Sequence, residues 1–167
     1  MTSAPGRRAA APSIDIQIQS PLWRDAPAAA ETVRRAVAAA AATLSTAGGE
    51  VAILLTDDAA IRSLNRRWRG IDKPTNVLSF PAAKAGASGF LGDIVIAHET
   101  LRRECDEEDR DFLHHLAHLA VHGFLHLLGF DHQQASAADA MEGLESKIMA
   151  RLQMPDPYLE RDLNRDA

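Results

Sequence analysis

Two histidines one helical turn apart, His122 and His126, are followed just past a glycine by a third, His132. The segment reads His122-Gly-Phe-Leu-His126-Leu-Leu-Gly-Phe-Asp-His132. Positions four apart share one face of a helix, so His122 and His126 can aim two imidazoles at one point. Gly129 can take the left-handed conformation that ends a helix, and the chain then turns back so that His132 can reach the same point. Three neutral imidazoles suit one divalent metal, and three protein ligands leave a position for water or substrate. Zinc is favoured; nickel, cobalt or iron would fit the same ligands. Water held there would titrate near neutrality and supply hydroxide.

The spacing matches the metalloprotease pattern H-E-x-x-H-x-x-G-x-x-H at every position but one. Where the proteases carry glutamate, the base for the attacking water, this chain has Gly123. A mid-helix glycine costs about 1 kcal/mol against alanine, so Gly123 serves close packing or access to the metal. The metal site survives that exchange, whereas peptide hydrolysis loses its usual base. His115 and His118 share the face of His122 and either support it or make ordinary side-chain hydrogen bonds. The ordinary reading is favoured for both. His114 falls off that face and His98 is remote. Asp131 can orient an imidazole or simply form a turn.

A second chemistry-bearing stretch holds Arg62, Arg66, Arg67, Arg69 and Lys73, opposed locally only by Asp72. Arg62, Arg66 and Arg67 read as a solvated helix face. Arg69 stands where the helical pattern ends, beside Gly70, and is expected to project from a loop. An arginine fork suits bidentate phosphate contact and charge building on phosphorus. Metal-bound hydroxide and an arginine together describe phosphodiester hydrolysis better than peptide hydrolysis.

The elements that must position these groups follow from periodicity. Ile14, Ile16 and Ile18 alternate with polar residues, predicting a half-buried strand over Ser13–Gln19. Asp25 and Pro27 open an alanine-rich helix that Gly48-Gly49 closes. Val51–Leu55 is a continuous apolar run, a buried strand. Thr56 and Asp57 can cap a helix bearing Ile61, Leu64 and Trp68. Pro74 breaks the chain, Val77–Phe80 is a short strand ended by Pro81, and Ala82–Gly89 is a loop of small residues. Phe90–Ala97 is a strand interrupted at Gly92-Asp93. Asp111–Leu128, apolar on nearly every face, predicts a helix through the centre of the domain. Ser136 and Asp139 resemble a capping box for a last helix with Met141, Leu144, Ile148 and Leu152, which Pro155 and Pro157 stop. Three or four strands and about five helices make an α/β or α+β sandwich.

At 167 residues, 46% hydrophobic and 25% charged, the chain is one globular domain over residues 14–157. Residues 1–13 read as a disordered tail and 158–167 as a C-terminal tail. No apolar run approaches the roughly 18–20 residues of a bilayer span, and the N-terminus lacks the apolar stretch of a secretory signal. The single cysteine, Cys105, fits a reducing compartment and hence the cytoplasm. A net charge of −5 argues against nucleic-acid binding over the whole surface, not against a local basic groove.

Four segments taken together resemble the bacterial YbeY endoribonucleases, factors in ribosomal RNA maturation. They are Leu64-Asn-Arg-Arg-Trp-Arg69-Gly70, Pro74-Thr-Asn-Val-Leu-Ser-Phe-Pro81, Leu91-Gly-Asp-Ile94 and the histidine segment. They run in the family's order between about Val51 and Leu152. The resemblance implies a metal-dependent endoribonuclease specific for single strands, acting on precursor rRNA of the small ribosomal subunit, in 16S 3′-end maturation and ribosome quality control. It implies zinc ligands at His122, His126 and His132 and a functional arginine at Arg69. The implied fold is α/β, a mixed, mostly parallel four-stranded sheet with helices around it and the metal site on a central helix. Two other readings stand beside it: a zinc metalloprotease using another base, and a non-catalytic ribosome-assembly factor whose metal braces the turn at Gly129.

Overall fold

The computed structural model describes residues 11–46, 48–83, 89–131 and 134–159. Residues 1–10 of the expected tail, most of the expected 82–89 loop, His132, and residues 160–167 lie outside the described residues. Four strands, β1 (Ser13–Ile18), β2 (Glu50–Thr56), β3 (Val77–Pro81) and β4 (Phe90–Ala97), form one sheet in the order β1-β2-β4-β3. β1, β2 and β4 run parallel, and β3 is antiparallel to β4. Among the described residues five α-helices surround them: α1 (Ala29–Leu44), α2 (Asp58–Arg69), α3 (His98–Glu108), α4 (Phe112–Leu127) and α5 (Ala135–Arg151). This is the mixed, mostly parallel α/β fold expected.

The register explains the layers. Ile16 pairs with Ile53 and Ile53 with Ile94, so the branched residues of three strands stack on one face. Against them α1, α4 and α5 pack as the main core, with Val33, Val37, Leu116, Phe124, Leu125 and Ile148 fully buried. Residues of opposite parity face the other way. Val95, Ala97 and Leu78 meet Ile61 of α2 in a smaller cluster, which covers only part of that face. α4 is buried on most of its circumference, as its all-round apolarity requires.

Several local expectations need correcting. Asp25 does not open α1: Pro21–Asp25 is a 3-10 turn, fixed by Trp23, whose indole donates to the Thr56 carbonyl at 2.9 Å. Asp57 alone caps α2, its carboxylate accepting from Ala60 N at 2.9 Å. α5 begins at Ala135, ahead of Ser136, and its N-cap Gln134 makes no side-chain cap, so the Ser136–Asp139 box does not form. β4 is continuous, its irregularity reduced to a register shift beside Gly92. Among the described residues no helix is long and apolar enough to cross a membrane.

Candidate metal centre

His122 and His126 lie one turn apart near the C-terminal end of α4, and their Nε2 atoms stand 3.0 Å apart. Two imidazoles bound tetrahedrally to one zinc at about 2.0–2.1 Å would hold their nitrogens about 3.3 Å apart, so the pair fits a shared ion after a shift of tenths of an ångström. Among the described residues no three His, Cys, Asp or Glu side chains group as a metal site. His132, the third expected ligand, lies outside the described residues.

What holds His122 is a buried carboxylate that sequence reasoning missed. Glu145 of α5 has no exposed surface and sits on the apolar face of its helix with Met141, Ile148 and Met149. His122 Nδ1 lies 2.7 Å from Glu145 Oε1, His118 Nε2 lies 2.8 Å from Oε2, and the Tyr158 hydroxyl donates to Oε2. Burial alone would raise this carboxyl's pKa. The hydrogen bonds from His118, His122 and Tyr158 outweigh it and bring the carboxyl down to about 2. An ionised carboxylate can only accept, so His122 carries its proton on Nδ1 and turns the Nε2 lone pair toward His126. The available signal was a lone acid on an apolar helical stripe; its partners, 23 and 27 residues away, were not visible locally.

A second carboxylate, Glu104 of α3, accepts from Asn76 Nδ2 at 2.9 Å and lies 3.1 Å from His115 Nε2. Burial works against its charge, yet the bonds from His115 and Asn76 hold its pKa below the usual range. His115 and His118 therefore make side-chain hydrogen bonds, and His118 does so to the same carboxylate as His122. His98 pairs with Asp25 at 2.9 Å, far from the site, and His114 is partly exposed beside Asp111.

Beside the two imidazoles opens a cavity of about 460 Å³ lined by Arg69, Asn76, Ser79 and Asp131 among others. Arg69 does not project from a loop; it is the last residue of α2, and Gly70, at φ 71°, makes the left-handed C-cap behind it. Its Nη2 donates to the Ser79 carbonyl at 3.4 Å, while Ser79 Oγ donates to the Gly123 carbonyl at 3.0 Å. One residue of β3 thus ties the arginine to the histidine helix. Arg62, by contrast, pairs with Asp72 at 2.9 Å with both side chains more than half exposed, a surface pair of little energetic weight.

Of the two roles open to Gly123, the structure shows close packing. A Cβ there would lie 2.9 Å from Ile94 Cγ2 and 3.1 Å from Ser79 Oγ. Alanine would gain about 1 kcal/mol of helix propensity but overpack a junction whose neighbours are buried. Gly123→Ala is expected to lower stability by up to about 2 kcal/mol net in chemical denaturation; a stabilised variant would contradict the packing.

A family model described as Endoribonuclease YbeY matches residues 16–153. A Bradyrhizobium protein (strain BTAi1) named Endoribonuclease YbeY is 52% identical over 160 residues, 90% of this chain and 95% of that one. One of the same name from Rhodopseudomonas palustris (strain BisA53) is 52% identical over 159 residues, 90% and 92% of the two chains. A solution structure from Thermotoga maritima is similar at 22% identity and a TM-score of 0.49, over 86% of this chain and 97% of that one.

Proposed function

The chain belongs to the YbeY endoribonuclease family, and from that premise we propose that it cuts single-stranded RNA at the cavity shared by His122, His126 and Arg69. One observation carries this reading. Two imidazole nitrogens 3.0 Å apart face a cavity whose wall also holds an arginine. His122, His126 and His132 would hold one divalent metal, for which zinc suits the imidazole set. Such an ion supplies Lewis acidity and a water of lowered pKa.

The chain's own groups do the rest. Glu145 keeps His122 in the tautomer that offers Nε2. Arg69, steadied on the Ser79 carbonyl, offers its guanidinium to the scissile or adjacent phosphate, where a planar fork matches two phosphate oxygens. The substrate in the cell is the precursor of 16S rRNA, cut in 3′-end maturation and in quality control of the small ribosomal subunit, in the cytoplasm. Nothing at Gly123 could act as a protease base, and its place is already filled by packing against β3 and β4.

Arg69→Ala is expected to keep its metal and lose cleavage by about 10²- to 10³-fold. Metal quantified in the same sample as the cleavage products checks this, and unchanged rates on RNA would remove Arg69 from the reaction. End-group analysis of those products tells attack by water from attack by the 2′-hydroxyl. Parallel incubation with casein tests the protease alternative, in which peptide and not RNA would be cut. A non-catalytic assembly factor would leave both substrates intact.

A further inference from the structure

The face of the sheet that α2 leaves uncovered is a groove of about 760 Å³, separate from the histidine cavity yet sharing Arg69, Ser79 and Pro81 with it. Its volume is within the roughly 300–1,000 Å³ of sites that hold small-molecule-sized groups. The floor is one register row: Asp15 pairs with Ala52, Ala52 with Asp93, and Asp93 with Phe80. The wall is Trp68, 62% exposed, packed edge-on against Phe80 at 6.4 Å with the Arg67 guanidinium 5.2 Å over its ring. Neither Trp68 nor this row is used in binding the metal or the scissile phosphate.

We propose that this groove is a subsite for an unpaired nucleobase of the RNA strand, stacked on Trp68 and Phe80 next to the phosphate held by Arg69. The inference rests on the reading of the chain as a nuclease for single-stranded RNA.

Continuity selects the occupant. A strand gripped by a phosphate at Arg69 must carry a flanking base toward one of two cavities, and the groove is the one with exposed aromatic surface. Charge points the same way. Among the described residues the floor carries Asp15 and Asp93 and no lysine or arginine, so it repels phosphate and accepts from the N–H edges of bases. Asp93 is an exposed residue of this row, and the partial burial of its carboxyl raises its pKa. Phosphates are left to the rim, where Arg69 stands. A base inside a duplex must first unstack and unpair, at a cost of a few kcal/mol, so the groove would also favour single strands.

The chain has two tryptophans, and Trp23 is 2% exposed, so fluorescence quenching by an added oligonucleotide reports Trp68. Titration of the intact protein with a short single-stranded oligoribonucleotide is expected to quench it. The same sequence with abasic positions, or a blunt duplex, should not. Trp68→Leu should weaken binding of the oligoribonucleotide about 5- to 150-fold with metal content unchanged, while Trp68→Phe restores most of it. RNA that is cleaved without quenching, or abasic RNA that quenches equally, overturns the subsite but leaves the nuclease reading intact. RNA neither bound nor cleaved overturns both. A lysine-rich peptide that quenches Trp68 where RNA does not would make the groove a protein-docking surface instead.

Discussion

His126→Ala is expected to lose bound metal and RNA cleavage together, the rate falling on the order of 10³-fold or to background. Its Nε2 is one of the two described atoms that converge, 3.0 Å from that of His122. A single remaining described imidazole, even with His132, would hold a divalent ion far more weakly. The side chain is half-buried in the last turn of α4, so its truncation should leave the fold largely unchanged. Metal analysis, circular dichroism and an RNA cleavage assay on the same preparation check all three statements. A folded, metal-free and active variant would sink the mechanism.

Glu145 offers the second large effect, in two separable parts. In Glu145→Gln the shape is kept, but an amide nitrogen must face one of three donors, His122, His118 or Tyr158, where it can accept nothing. His122 then loses the partner that fixes its tautomer. Metal affinity should fall about 10- to 100-fold, read by competition with a chelator, while the protein stays folded. In Glu145→Leu all three donors are left buried or half-buried without their acceptor. Breaking such a network from one side costs about 3–5 kcal/mol, measurable by denaturant titration. Wild-type metal affinity in the glutamine variant would mean that Glu145 braces the fold and does not orient the ligand.

The sheet and the central helix were legible because their signals are local. Alternation at Ile14 and Ile16 and the apolar run from Val51 mark strands that lie at those positions. The all-round apolarity of Asp111–Leu128 marks a helix at the centre of the layers. α3 was not marked as a helix, since its buried side is only His98, Leu101 and Cys105 amid charged residues. The capping residues suggested for α5 lie inside the helix, since the packing of Met141, Ile148 and Met149 sets its frame and side-chain caps count for less.

Within the site, spacing along one helix revealed His122 and His126, while pairs between helices stayed hidden. Glu145 reaches His122 from α5 and Glu104 reaches His115 from α3; a sequence shows such an acid only as an oddity on an apolar stripe. Arg69 stands out by its chemistry, but it ends α2 where a loop was expected. The helical pattern runs one residue further than the apolar positions suggest, because Gly70 supplies the cap.

The fit at Gly123 also limits what this fold could become. A glutamate introduced there to recreate the protease motif would have to pass a Cβ already 2.9 Å from Ile94 and 3.1 Å from Ser79. It would prise α4 off β3 and β4, and with it the Ser79 bridge on which Arg69 rests. Two hydrolases that share a histidine spacing are therefore not one substitution apart. An engineer would have to trim the sheet under the helix before the base could be fitted, and would surrender the arginine's anchor in doing so.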